Sequence, residues 1–215
     1  MCSSVLYSFR RCPYAMRARM GLLYSGIVSE LREIKLGDKP ASMLEVSKKG
    51  TVPVLVLSNG EVLDESRDIL MWALETSDPD DWLMQDAPQQ VVAADALIDH
   101  NDGEFKSCLD RYKYHERFPE QSMEQHRASG ESFLLELDQR LNKHTYLIGN
   151  SLSYADIAIV PFVRQYAHCD KVWFGQTPYA ALQAWLDGLL QSDGFVGVMK
   201  KYLPWQVGDK PIYFP

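Results

Sequence analysis

The chain has 215 residues, of which 46% are hydrophobic and 24% are charged, a composition typical of a folded globular protein and not of a disordered one. Acidic residues outnumber basic ones by 29 to 22, and the resulting net charge of −7 argues against unspecific binding to nucleic acid or to an anionic membrane. No apolar stretch has the length of a membrane span, and the first residues show no signal-peptide pattern, so we expect a cytoplasmic protein.

The first 76 residues alternate between predicted strands and helices. Strands are predicted at 4–9, 31–36, 54–57 and 61–63, and helices at 13–25, 40–46 and 66–75. Gly26 is placed to end the first helix, and Asn59-Gly60 is typical of the type I′ turn of a β-hairpin. This order predicts a βαβ unit followed by an antiparallel hairpin, the pattern of a small α/β domain.

Beyond a polar, proline-containing segment, every pattern has helical period and no strand is predicted after residue 76. Helices are predicted at 87–114, around 133–141, from Thr177-Pro178 onward, and at 195–202. Ser153 and Asp156 predict a capping box at the start of another helix, with Leu152 and Ile157 as its hydrophobic staple. We therefore predict an α/β domain at 1–76, a linker at 77–86 and an all-helical domain at 87–215.

Cys12 is the residue best suited to chemistry. It follows the first strand and directly precedes Pro13, which favours the first position of a helix. The unpaired N–H groups and the positive dipole end at such a position stabilise a thiolate, and nearby basic residues add positive charge: Arg10, Arg11, Arg17 and Arg19. The alternative is a buried structural cysteine.

The remaining cysteines and the histidines suggest no further centre. Cys2, Cys108 and Cys169 lack the setting of Cys12, and we interpret them as structural. The four cysteines show no CxxC spacing and the five histidines form no HExxH motif, so we expect neither a disulfide framework nor a metal site. Because Ala15 stands where a CxxC partner would be, a redox cycle at Cys12 needs an external thiol.

Two further motifs could bind a small peptide-like ligand. A cis Val52–Pro53 bond would leave the backbone groups of Val52 able to pair with an extended ligand, whereas a trans bond would mark an ordinary edge strand. Glu65 and Ser66, at the start of a helix, could hold an ammonium and a carboxylate, whereas helix capping alone would also explain them.

In this order and spacing, these motifs resemble the glutathione transferase superfamily. The segments that carry the resemblance are Arg11-Cys-Pro-Tyr-Ala15, Asp38-Lys-Pro40, Val52-Pro53 and Glu65-Ser66. They look most like the omega class. Two-domain glutaredoxins are also similar but carry a second cysteine at the position of Ala15. The resemblance covers the whole chain, including the Ser153–Asp156 box, and implies a thioredoxin-like domain followed by an all-helical domain.

The resemblance also implies roles for individual residues. Cys12 would form a mixed disulfide with glutathione, and Val52, held by cis Pro53, would pair with the cysteinyl backbone of glutathione. Glu65 and Ser66 would bind the γ-glutamyl end. Lys39 would approach the glycyl carboxylate. Four further residues would border the pocket for the second substrate: Tyr14, Tyr112, Arg164 and Trp205.

The function implied is a thiol transferase that uses glutathione as cosubstrate, without a metal, on a small oxidised substrate. Removal of glutathione from mixed disulfides and reduction of dehydroascorbate both suit such a centre. One alternative is a conjugating or dehalogenating transferase for electrophiles, with Tyr7 or Ser8 activating glutathione. Another is a non-catalytic binding module on the same fold. We expect a homodimer, although the two-domain glutaredoxins are monomers.

Overall fold

A mixed five-stranded sheet organises the first part of the chain in the computed structural model, which describes residues 4–215. Its strands are β1 (Val5–Ser8), β2 (Ser29–Glu33), β3 (Val54–Val56), β4 (Val62–Leu63) and β5 (Tyr213–Phe214). They lie in the order β4-β3-β1-β2-β5, with β1 and β2 parallel and the other neighbours antiparallel. The predicted βαβ unit with an added antiparallel hairpin is confirmed.

Helices α1 (Pro13–Tyr24), α2 (Ala41–Val46) and α3 (Ser66–Thr76) accompany this sheet. As predicted, Gly26 ends α1 with a positive φ of 67°. Its N–H donates to the carbonyl of Leu23, and the next N–H, from Ile27, donates to the carbonyl of Leu22. These two bonds form a Schellman motif, in which only a glycine takes up the left-handed conformation without steric cost.

The hairpin between β3 and β4 differs from the predicted type I′ turn. Its loop has three residues, Ser58, Asn59 and Gly60, closed by a hydrogen bond from the N–H of Leu57 to the carbonyl of Glu61 at 2.8 Å. Gly60 has a φ of 89°, whereas Asn59 is not among the residues with positive φ. The Asn59 side chain instead accepts the N–H of Glu61 at 2.9 Å. The type I′ prediction is therefore wrong, because this longer loop needs one left-handed residue and not two.

The second part of the chain is helical. Its helices are α4 (Pro88–His100), α5 (Lys106–Lys113), α6 (Met123–Leu141), α7 (Tyr154–Ala167), α8 (Lys171–Gly175) and α9 (Ala180–Gln191). The predicted helix at 87–114 covers α4 and α5 but is interrupted by a π-helical turn at Asn101–Phe105. Helix α9 begins two residues later than predicted, because the Thr177 hydroxyl donates backward to the carbonyl of Phe174 at 2.7 Å.

The predicted box at the start of α7 is centred on a buried carboxylate. One oxygen of Asp156 accepts the N–H and the hydroxyl of Ser153, at 3.1 and 2.8 Å. The other oxygen accepts the N–H of Leu147 at 3.0 Å and the indole N–H of Trp185 at 2.9 Å. Asp156 is fully buried, so the helix start, a preceding loop and α9 are all joined through one side chain.

The tail returns to the sheet, which the sequence analysis did not predict. Helix α10 (Asp193–Val198) ends earlier than the predicted 195–202, and β5 then pairs antiparallel with β2. Phe214 of β5 is buried, and the Arg19 guanidinium lies 5.8 Å from its ring centroid. The expectation of no strand after residue 76 is wrong, because a two-residue strand is too short to show an alternating pattern.

The chain separates into two compact units by its internal contacts. The first unit contains the residues up to Asp80 together with Ser192–Pro215, and the second contains Asp81–Gln191. The division at 80/81 lies inside the predicted linker, but residues 192–215 belong to the first unit and not to the helical one. Among residues 4–215, none of the helices combines the length and apolar character of a membrane span.

Candidate active site

Cys12 lies at the mouth of α1, at the junction with β1. It is the N-cap residue, with an extended backbone (φ −78°, ψ 125°), and its N–H donates to the carbonyl of Phe9 at 2.9 Å. Pro13 occupies the first helical turn as predicted, and the Cys12 side chain makes no capping hydrogen bond to the helix. The thiol is half-buried, so the sulfur is sheltered by the fold but not sealed inside it.

Val52, two residues before β3, lies close to this sulfur. The Cys12 Sγ lies 3.7 Å from the Val52 carbonyl oxygen. The Val52–Pro53 peptide bond is cis, which answers the alternative that the sequence left open. Within residues 4–215 the N–H of Val52 makes no backbone hydrogen bond. The structure thus brings the Cys12 thiol next to the carbonyl of Val52, to which it donates, and to a residue whose N–H has no backbone acceptor within residues 4–215.

The predicted ammonium and carboxylate clamp lies at the start of α3. Ser66 is the first residue of α3 and is buried, and its Oγ accepts a hydrogen bond from the Arg17 guanidinium at 3.3 Å. Glu65 is exposed and pairs with Lys49, whose Nζ lies 2.6 Å from Oε1. Lys49 also contacts Asp64 at 2.9 Å. Lys49 therefore pairs with Glu65, the carboxylate that the sequence analysis assigned to a ligand's ammonium group.

The charges of this cluster depend on each other. The hydrogen bond from Lys49, with a second from Ser47, holds the pKa of Asp64 below its usual range. The hydrogen bond of Lys49 to Glu65, and next the one to Asp64, raise the pKa of Lys49. The sequence analysis did not predict that Lys49 pairs with Glu65. The available signal was the basic pair Lys48-Lys49, which closely precedes the predicted Val52–Pro53 motif.

Two of the four arginines near Cys12 serve other groups. Arg19 is fully buried and pairs with Glu33, and its Nε donates to Ser8 Oγ at 2.8 Å. Arg17 is also buried and reaches Ser66. We expected Arg19 to add positive charge around the sulfur. That expectation is wrong, because Glu33 neutralises the Arg19 guanidinium.

The residues proposed for the conjugating alternative are already engaged. Ser8 is fully buried beneath Arg19. The Tyr7 hydroxyl donates to Ser42 Oγ at 2.9 Å and accepts from Arg32 at 2.8 Å, and the Tyr7 side chain is buried. Both side chains are buried, whereas Cys12 is half-buried.

The second-substrate candidates divide between the units. In the first unit, Tyr14 lies on α1 with the Arg17 guanidinium 5.7 Å from its ring centroid, and Trp205 has Arg32 4.4 Å over its ring. In the second unit, Arg164 is half-buried on α7, whereas Tyr112 on α5 is fully buried and burial raises its pKa to about 12. The burial of Tyr112 gives no support to a ligand contact.

Three further residues that the sequence analysis named are half-buried: Lys39, Cys108 and Cys169. Lys39 is half-buried, with Nζ beside Gly50. Burial raises the pKa of Cys108, and raises that of Cys169 to about 11. Cys2 lies outside the described residues. Among the residues that the structure describes, no group of three or more histidine, cysteine or acidic side chains is arranged to hold a metal ion.

Comparisons with known proteins identify the family. The family model for the glutathione S-transferase N-terminal domain matches residues 6–81, and that for the glutathione S-transferase C-terminal domain matches residues 100–193. Among curated proteins, the chain is 30% identical to glutathione S-transferase omega-1 of Sus scrofa over 157 residues. That match spans 73% of this chain and 64% of the relative, just under two thirds of its length.

Solved structures show the same fold. Glutathione transferase Omega 3C from Trametes versicolor superposes with a TM-score of 0.77 at 21% identity, covering 94% of this chain and 91% of its own. Glutathione transferase URE2P6 from Phanerochaete chrysosporium, in complex with oxidized glutathione, superposes with a TM-score of 0.77 at 16% identity, covering 92% and 94%. The predicted thioredoxin-like domain with a helical domain is confirmed, and the chain belongs to the glutathione S-transferase family.

Proposed function

We propose that this chain is a glutathione-dependent thiol transferase in which Cys12 forms a mixed disulfide with glutathione. The observation that carries the proposal is the position of the Cys12 sulfur, 3.7 Å from the carbonyl oxygen of Val52 at a helix N-terminus. A helix N-terminus stabilises a thiolate, and a thiolate is the form that attacks a disulfide. The omega-class relative and the neighbour solved with oxidized glutathione support glutathione as the thiol.

Each part of glutathione has a chemically matched group in the first unit. The cysteinyl backbone pairs with the N–H and carbonyl of Val52 by strand addition. The γ-glutamyl carboxylate binds at the N-terminus of α3, where Ser66 lies, and the γ-glutamyl ammonium binds Glu65 after displacing Lys49. Lys39 receives the glycyl carboxylate.

The reaction is two successive thiol–disulfide exchanges. The Cys12 thiolate attacks the glutathione sulfur of a mixed disulfide, forming the Cys12–glutathione bond and releasing the second thiolate, which takes a proton from water. The thiolate of a second glutathione then attacks the glutathione sulfur bound to Cys12. Oxidised glutathione leaves and the Cys12 thiolate is restored, so that one glutathione is consumed for each thiol released. Dehydroascorbate-type reduction would use the same centre.

Two observations favour thiol transfer over conjugation of electrophiles. The sulfur of Cys12 occupies the position where a conjugating enzyme would stabilise the thiolate of glutathione itself. Tyr7 and Ser8, the alternative activating residues, are buried and hydrogen-bonded within the first unit. We therefore expect weak conjugation by the natural chain.

A pair of substrates tests the proposal. With glutathione present, hydroxyethyl disulfide reports thiol transfer and chlorodinitrobenzene reports conjugation. We expect turnover of the disulfide to be lost in Cys12→Ser, with conjugation retained or increased, and to be unchanged in Cys108→Ser. Disulfide turnover at the natural rate in Cys12→Ser would overturn the assignment. Retention on glutathione-agarose without turnover of either substrate would instead favour a binding module.

Assembly and setting belong to the same proposal. We propose a homodimer acting in the cytoplasm, where glutathione is reduced and abundant. Tyr14 and Trp205, which lie in the first unit with Cys12, are proposed to border the second substrate. Light scattering at micromolar concentration separates a dimer of this chain from a monomer.

A further inference from the structure

A groove of about 460 Å³ lies in the first unit, beside the segment that leads into Cys12. Its lining comes from the loop after β1, from the end of β2 and from the tail that follows α10, and it includes Arg10, Arg11, Lys35 and Lys201. In the sheet, β1 lies between β3 and β2. The proposed glutathione contact at Val52 precedes β3, and part of the groove lining follows β2, so the two lie beside different neighbours of β1.

The groove is strongly cationic in an acidic protein. Within residues 4–215, none of the side chains of Arg10, Arg11, Lys35 and Lys201 forms an ion pair with a carboxylate. Glu33 is the acidic residue of the lining, and its oxygens accept from buried Arg19 and from the Arg10 backbone N–H at 2.7 Å. Four positive charges thus remain uncompensated, although the chain as a whole has a net charge of −7.

An anion bound in this groove would relieve the repulsion among these positive charges. Like charges close together repel, and the surface of a protein with excess acid could readily supply partners for exposed lysines and arginines. A groove that concentrates one sign of charge raises the local concentration of a substrate of the opposite sign. Arg11 directly precedes Cys12 in the chain, so the lining of the groove begins one residue from the reacting cysteine.

We infer that this groove binds the negatively charged half of the second substrate, so that the enzyme prefers small mixed disulfides whose non-glutathione half carries a carboxylate. The inference rests on the proposed function, since it names the substrate class for the exchange at Cys12. Glutathione binds on the Val52 side, and the carboxylate of the leaving half is held by Arg11, Lys35 and Lys201.

Three mixed disulfides of glutathione test this preference, because they differ only in the charge of the other half. Mercaptopropionate gives an anionic half, mercaptoethanol a neutral one and cysteamine a cationic one. Each kcat/KM is divided by the rate of uncatalysed exchange with glutathione, which removes differences in thiol reactivity. At low salt we expect the anionic substrate to exceed the neutral one by about tenfold and the cationic one to be slowest, with the differences shrinking at high salt.

A charge-reversed pair and a matched control complete the test. In Lys35→Glu/Lys201→Glu we expect the ratio of anionic to neutral kcat/KM to fall to about one, because two charges are reversed and Arg10 and Arg11 remain. Lys210→Glu, an exposed change in the same tail but outside the groove, should leave the ratio as it is. Equal normalised rates for all three substrates, or a preference that survives the double change, would overturn the inference. Absence of turnover with every substrate would instead contradict the proposed function.

Discussion

The sulfur of Cys12 lies 3.7 Å from the carbonyl oxygen of Val52, although forty positions separate them in the chain. The contact depends on the antiparallel pairing of β1 with β3, in which Tyr7 lies opposite Val54. Under the proposed function, a disulfide that pairs with the backbone of Val52 would arrive next to the Cys12 sulfur. The register of two strands thus fixes the position of the sulfur relative to Val52.

Under the proposed function, Lys49 competes with the ammonium group of glutathione for Glu65, so its removal should improve glutathione binding. In Lys49→Gln the Glu65 carboxylate loses its internal cation, and the ligand ammonium takes that position without displacing one. We expect the KM for glutathione to fall about two- to fivefold, the scale of an exposed ion pair, with kcat unchanged. Lys48→Gln is the matched control, because within residues 4–215 the Lys48 Nζ contacts the Leu44 carbonyl and forms no ion pair with a carboxylate. A higher KM in Lys49→Gln would show that Lys49 assists binding.

Gly21 allows α1 to approach α3 closely. A Cβ at this position would lie 2.7 Å from Cδ1 and 3.3 Å from Cα of Leu70. We expect Gly21→Ala to destabilise the protein by up to about 2 kcal/mol, because overpacking costs about 1–3 kcal/mol and the gain in helix propensity offsets about 1 kcal/mol of that. Gly188→Ala in α9 meets no atom within 4 Å and should gain about 0.5–1 kcal/mol. Thermal unfolding followed by circular dichroism compares them, and equal shifts would contradict the packing argument.

Asp156 should be the most sensitive polar side chain of the second unit. Burial raises its pKa while four hydrogen bonds favour the charged carboxylate. In Asp156→Ala the buried donors of Leu147 and Trp185 lose their acceptor, at about 1–3 kcal/mol for each unsatisfied group. We expect a loss of several kcal/mol in the free energy of unfolding, and a smaller loss for Asp156→Asn, which keeps one acceptor. Denaturation followed by tryptophan fluorescence measures both, and equal losses would contradict the hydrogen-bond account.

Alkylation should distinguish the cysteines by pH. Burial raises the pKa of Cys108, and that of Cys169 to about 11, so both are protonated and slow with iodoacetamide at neutral pH. We expect Cys169 to react appreciably only as the pH approaches 11, and Cys12 to react first at pH 7. Trypsin cleaves after Arg11, so Cys2 and Cys12 are read on separate peptides. Faster labelling of Cys169 than of Cys12 at pH 7 would contradict this order.

The local features of the site could be predicted from sequence because short-range physics determines them. Cys12 before Pro13 and Ser66 at the start of α3 follow from strand, cap and helix patterns, and the structure has them as expected. The isomer of the Val52–Pro53 bond could not be read from the sequence, because the two forms of an X–Pro bond differ little in energy and the surrounding fold selects one.

Features that join distant segments were beyond the sequence. The contact of Lys49 with Glu65, the burial of Arg19 against Glu33 and the return of the tail to β2 each depend on how the sheet is ordered. The same holds for the cationic groove, whose lining comes from three separate segments. A periodic pattern records which face of an element is buried, but not which neighbour covers it.

The central claim is that Cys12 carries glutathione during turnover, and trapping that species tests it most directly. The enzyme is mixed with one equivalent of the glutathione–mercaptoethanol disulfide, quenched with acid after successive intervals, digested and analysed by mass spectrometry. We predict that glutathione appears on the Cys12 peptide at least as fast as overall turnover and is removed when free glutathione is added. Turnover with no adduct on Cys12, or an adduct that free glutathione does not remove, would contradict the mechanism.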